Sequence, residues 1–190
     1  DLGPRNIPIL EDYERIRQAD IVFMESTYGD RDHKSFDATV EEFFGIIRNA
    51  VNHQQKILVP SFAVGRAQML MTLLAWAFRT GELPPFPVYL DSPMANSAFD
   101  IYNRHPELWD KDMVEFSKKR SVSDELKRTQ SKVCLTAEES MELNHVKGPC
   151  LILAGAGMCN AGRILHHLRN SLFKKETVVV GSNYSVFGKG

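Results

Sequence analysis

Short apolar runs punctuate this chain, and between them apolar residues recur every three or four positions. Ile21-Val22-Phe23-Met24 lies between Asp20 and Glu25, the pattern of a short buried strand. After it, Phe36, Val40, Phe43, Phe44, Ile47 and Val51 fall on one helical stripe. Ser35 is placed to cap that helix, and Asp37, Glu41 and Glu42 weight its amino end with negative charge. The unit then repeats: Ile57-Leu58-Val59 predicts a strand, a turn runs through Pro60 to Gly65, and Leu70, Leu73, Leu74, Ala77 and Phe78 predict a helix that Gly81 ends. Pro84-Pro85-Phe86-Pro87 leads into a third strand, Val88-Tyr89-Leu90, with helices expected near 95–104 and 106–117.

From about Lys118 to Lys132 charge becomes dense and apolar periodicity fades, so this stretch reads as a surface excursion. A short helix is expected near 137–143. Cys150-Leu151-Ile152-Leu153-Ala154 predicts a strand, a glycine-rich turn follows, Ile164, Leu168 and Leu172 share a helical face, and Thr177-Val178-Val179-Val180 predicts a last strand. Strands and helices in this alternation predict an α/β fold, a mostly parallel sheet of about five strands with helices on both faces.

Composition narrows the picture. With 43% hydrophobic and 25% charged residues, the 190-residue chain has the make-up of an ordinary globular domain that can build a core without disulfides. No apolar stretch approaches the roughly 20 residues of a membrane span. Cys134, Cys150 and Cys159 form no Cys-x-x-Cys pair, which predicts idle thiols in a reducing, cytoplasmic setting. A net charge of −1 argues against a protein coated in positive charge, while leaving room for a local basic groove. The start, Asp1-Leu2-Gly3-Pro4-Arg5, has neither an initiator Met nor the pattern of a secretory signal, and reads as the beginning of an excised piece.

Four predicted strands end in polar or glycine signatures: MESTYGDR at 24–31, VPSFAVGRAQ at 59–68, LDSPMA at 90–95 and LAGAGMCNAGR at 153–163. In a parallel sheet, loops leaving the carboxyl ends of strands share one crevice, and ligands bind there. Glu25 at a strand end, followed by Ser26, Thr27, Tyr28 and Gly29, suits either a turn or a carboxylate that orients a histidine beside hydroxyls that meet a phosphate. Ser61 and Arg66 flank a predicted helix start, where Arg66 is either solvated or meets an anion together with the first backbone N–H groups. The Gly155, Gly157 and Gly162 turn is not a dinucleotide fingerprint, because its third glycine falls late and no carboxylate follows Val180; backbone amides approaching a phosphodiester suit it better. Asp91 or Ser92 caps the next helix, with Pro93 in its first turn.

Together these signatures resemble the inserted domain of the β-CASP nucleases, a branch of the metallo-β-lactamase superfamily that processes RNA and, in some members, DNA. The resemblance covers 1–181, and the tail at 182–190 departs from the family pattern. It implies that Glu25 holds a histidine as proton donor for the leaving oxygen, and that Ser26, Thr27, Tyr28, Ser61, Arg66, Gly155, Gly157, Met158 and Arg163 line the path of a single-stranded RNA. It also implies a metallo-β-lactamase domain as partner and two zinc ions that polarise the phosphate.

Asp1 matches the family's metal-bridging aspartate, but no His-x-His occurs in the chain, so zinc is expected only in a longer protein and this piece is expected to be inert. His166 and His167 point about 100° apart on one helix and read as a surface pair. His33 beside Asp30 and Asp32 only imitates a metal cluster, and His53, His105 and His145 sit at helix ends or turns. The alternative function is a non-catalytic scaffold of the same fold.

Overall fold

The computed structural model describes residues 5–24, 26, 29–30 and 34–181. Its helices are α1 (Phe36–Asn52), α2 (Arg66–Thr80), α3 (Pro93–Arg104), α4 (Lys111–Lys119), α5 (Val122–Lys127), α6 (Ala137–Glu142) and α7 (Arg163–Ser171). Its strands are β1 (Lys56–Pro60), β2 (Val88–Asp91), β3 (Lys132–Val133), β4 (Cys150–Ala154) and β5 (Thr177–Val179), and they form one sheet in the order β3-β2-β4-β1-β5. Every ladder is parallel: Ile57 stands opposite Leu151 and Val178, and Tyr89 opposite Ile152 and Lys132.

The central strands β1 and β4 bury all five of their residues, as strands covered on both faces must. Alternation sends Ile57, Val59, Leu151, Leu153, Val88 and Leu90 to the face covered by α1, α2 and α3. Leu58, Ile152 and Ala154 point the other way, onto Leu143 after α6 and Ile164 of α7. Each such leucine or isoleucine contributes about 1.5–3 kcal/mol by leaving water. Lys56 begins β1 buried and donates from Nζ to the Leu143 carbonyl at 2.7 Å, fastening the end of α6 beneath the sheet; burial pushes its pKa down.

Most helix signals hold. Ser35 caps α1 by accepting from the Ala38 amide at 3.2 Å, and Gly81 ends α2 in the left-handed region at φ +82°. Three expectations need correction. Ile21, Val22, Phe23 and Met24 are not a buried strand: they join no ladder and are 76, 73, 96 and 88% exposed. The sheet's edge beyond β2 is taken by β3, from the stretch read as a surface excursion, which also contains α5. Both side chains of β3 are exposed and α5 is only six residues long, so neither shows a period. Finally, the helix expected at 106–117 divides into a single 3-10 turn at Pro106–Leu108 and α4, because Asp110 caps the second piece by accepting from the Met113 amide at 2.6 Å. The other oxygen of Asp110 accepts from the Ile9 amide at 2.8 Å, and an isolated bridge pairs Leu10 with Trp109, which pins the amino-terminal arm.

Candidate functional site

The topology opens a crevice at one end of the sheet. β1 and β2 lead into α2 and α3 on one face, while β4, which lies between them, leads into α7 on the other. Adjacent strands whose connections part to opposite faces leave a gap outside their carboxyl ends, the usual ligand position in open α/β sheets. Ser61, Ser92 and Gly155 meet there, and with Phe62, Ala95 and Leu153 they line a depression so closely packed that its floor leaves no water-sized space. The Ser61 amide donates to the Ala154 carbonyl at 2.9 Å. A Cβ on Gly155 would make ordinary van der Waals contact at 3.6 Å from the Ser61 carbonyl oxygen and 4.0 Å from Ser92 Oγ, so the three strand ends converge around this residue.

The loop after β4 folds on itself. Ala156 donates to the Ala161 carbonyl at 3.1 Å, Cys159 to Ala156 at 3.1 Å and Ile164 to Gly155 at 2.9 Å. Gly162 makes this closure possible: its φ is +76°, and a Cβ there would lie 2.5 Å from the Gly155 carbonyl oxygen. Gly157 is buried in the loop and Met158 is exposed on it.

Ser61 is 2% exposed and its hydroxyl donates to the Phe62 carbonyl at 3.1 Å, so it shapes the rim from within. At the start of α2 the Arg66 amide donates to Val64 and the Ala67 amide to Phe62, at 3.0 and 3.3 Å. The expectation of free N–H groups at both positions is therefore corrected. What α2 offers an anion is the exposed Arg66 guanidinium, which makes no hydrogen bond or ion pair with a described residue.

Beneath the rim lies a buried charge cluster. Asp91 is fully buried at the end of β2, and Oδ2 accepts from Ser140 Oγ and from His167 Nε2, each at 2.6 Å. Its Oδ1 accepts from Arg163 Nη1 at 2.7 Å, and the same guanidinium donates to the Cys134 and Leu135 carbonyls at 3.0 Å each. Burial pushes the Asp91 carboxyl pKa up, but the hydrogen bonds from His167, Ser140 and Arg163 outweigh it and hold the group below its usual value. Asp91, through Ser140, His167 and Arg163, thus ties α6, α7 and the segment Cys134-Leu135 after β3 to the centre of the sheet. Burial, reinforced by Asp91, raises the Cys134 thiol to about 11, and burial raises that of Cys150 to about 11, so both stay protonated and unreactive at neutral pH.

This cluster corrects two readings. His167 is not part of a surface pair; it is 1% exposed, and only His166 faces solvent. The signal was present, since His167 lies three residues after Ile164 and four before Ser171, on the buried stripe of α7. The cap of α3 is Ser92, which accepts from the Ala95 amide at 3.2 Å, and Asp91 is released for the cluster.

Arg163, expected to touch substrate, turns its guanidinium inward. Ser26 is exposed and its carbonyl accepts from the Gly29 amide at 3.0 Å. Asp1, Glu25, Thr27, Tyr28, Asp32 and His33 lie outside the described residues. Among the described residues no three His, Cys, Asp or Glu side chains stand where they could hold a metal ion, so these residues do not fit the zinc centre that the resemblance implies. None of the described helices is long and apolar enough to cross a membrane.

Comparison with known proteins agrees with this architecture. The chain is 36% identical over 190 residues to Ribonuclease TTHA0252 of Thermus thermophilus, covering 99% of this chain and 43% of that protein. It is 32% identical over 162 residues to the Transcription termination factor FttA of Methanothermobacter thermautotrophicus, covering 82% of this chain and 24% of the factor. It is 27% identical over 172 residues to the Cleavage and polyadenylation specificity factor subunit 3 of Dictyostelium discoideum, covering 90% and 21% respectively. The chain therefore spans less than half the length of these relatives. The profile of the Beta-Casp domain matches residues 67–189, which include β2, β4, the glycine loop and the Asp91 cluster. With that match over most of its length and a sheet whose strand ends build the crevice, the chain belongs to the Beta-Casp domain family.

Proposed function

We propose that this chain is the substrate-gripping part of a nuclease and that single-stranded RNA runs across the carboxyl rim of its sheet. The observation that carries the reading is the meeting of Ser61, Ser92 and Gly155 at the point where the connections of β1, β2 and β4 part. A rim of converging strand ends, with the exposed Arg66 guanidinium at the start of α2, suits a phosphodiester, which Arg meets with two parallel hydrogen bonds. Similarity to a ribonuclease favours RNA as the substrate. In this reading Arg66 and the 155–162 loop hold the phosphate, while Asp91, through Arg163, keeps the loop in place. Glu25 takes the role that the resemblance gives it, orienting the histidine that protonates the leaving oxygen. Hydrolysis asks for a metal centre that the described residues do not form, so the reading drawn from their geometry is one of binding.

Fluorescence anisotropy of a labelled single-stranded RNA at several salt concentrations tests it. Binding is expected to weaken with salt, and Arg66→Ala is expected to lower affinity and to flatten the log–log salt slope by about 0.7, the loss of one phosphate contact on a single strand. Folding stability should change by no more than about 0.5 kcal/mol, because the side chain is exposed. Equal affinity and slope for the two proteins would contradict the role of Arg66.

A further inference from the structure

A second concavity lies one helical turn from the crevice. It has a volume of about 260 Å³ and sits between α3, α5 and the β2–β3 edge. Leu90 lines both depressions, and the consecutive residues Ala95 and Asn96 of α3 face the crevice and the cavity respectively. Leu90, Phe99 and Leu126 give the cavity apolar walls, and Asn96, Ser123 and Lys127 surround them with polar groups, while Lys132, opposite Tyr89 in the ladder, turns its side chain to the other face of the sheet. The side chains of Asn96 and Ser123 make no hydrogen bond with a described residue. Lys127 is engaged only by Asp124, at 3.1 Å on the exposed face of α5, a pairing that costs little to give up.

Uncommitted polar groups around apolar walls specify a ligand with a flat apolar body, a hydrogen-bonding edge and negative charge. A nucleobase packs against the walls, the Asn96 amide offers both a donor and an acceptor to its edge, and Lys127 supplies a point charge for phosphate. The volume lies near the lower end of small-ligand sites, about 300 Å³, which suits one nucleotide and is too small for a packed peptide element. Resting on the RNA reading above, we propose that this cavity holds one base of the single-stranded RNA whose backbone crosses the crevice, with an adjoining phosphate paired to Lys127. The strand then passes over the first turn of α3, and the cavity adds a base contact to what is otherwise a backbone grip.

Titrating the isotopically labelled chain with a short oligouridylate, followed by amide NMR shifts, tests this and separates it from the parent reading. Shifts are expected at the crevice, in Arg66, Gly155 and Gly162, and at the cavity, in Asn96, Ser123 and Lys132. Ser123→Trp, which fills the cavity, should weaken binding about tenfold or more, the loss of one base contact, and leave the crevice shifts in place. Lys127→Glu changes only an exposed side chain and serves should the tryptophan variant not fold; it should weaken binding and flatten the salt slope. Crevice shifts without cavity shifts, or full affinity in the variants, overturn the cavity proposal and leave the crevice reading standing. Shifts at neither place overturn both.

Discussion

Asp91 joins more of the molecule than any other side chain at the crevice. Three donors from α6 and α7 converge on one carboxylate, and removing that carboxylate leaves Arg163 and His167 partly or wholly buried beside each other. Asp91→Asn is expected to cost about 3–5 kcal/mol at neutral pH, the usual cost of taking one partner from a buried charge pair, measured by urea unfolding. The pH dependence follows from the direction of its shift. A carboxyl held below its ordinary value contributes stability that is fully present above the unfolded value, about pH 4, and is lost as pH falls through the lower folded value. Acidification below about pH 4 should therefore narrow the gap between wild type and Asp91→Asn, and a gap constant down to pH 2 would contradict the cluster. From the sequence, Asp91 and Ser92 were interchangeable caps, since either side chain can accept an amide at a helix start. Only the fold, which brings residue 163 to residue 91, tells them apart.

Among the elements, the glycine loop depends on one backbone conformation. Gly162 needs both a positive φ and the absence of a side chain, so Gly162→Ala combines the cost of an extended positive-φ conformation open essentially to glycine alone, about 1–3 kcal/mol, with a clash against the Gly155 carbonyl. Lower stability and weaker RNA binding are expected together, from the melting temperature and the anisotropy titration; unchanged binding would show that the loop shape does not matter to the ligand. Elements with a long apolar period, α1, β1, α2 and β4, were legible because their burial is written into spacing. β3 was not, since two exposed residues at an edge earn their place by the ladder alone, Tyr89 opposite Lys132 and Leu90 opposite Val133. The run at 21–24 shows the reverse failure. Its apolar character is real, but strand formation needs a partner, and residues 21–24 pair with none of the five strands.

For the whole molecule, the decisive feature is the strand order, which sets residues from 61, 92 and 155 around one gap. The alternation of strands and helices made a parallel sheet legible, and with it the rule that ligands gather at carboxyl ends. The order itself was not legible, because placing β4 between β2 and β1 depends on packing across both faces. The central claim is that RNA lies on this end of the sheet, and hydrogen–deuterium exchange of the chain with and without single-stranded RNA tests it most directly. The account predicts slowed exchange at 61–69 and 155–165, with none at the opposite end around 54–56 and 144–149. Slowing confined to that opposite end, or to the outer faces of the helices, would contradict it.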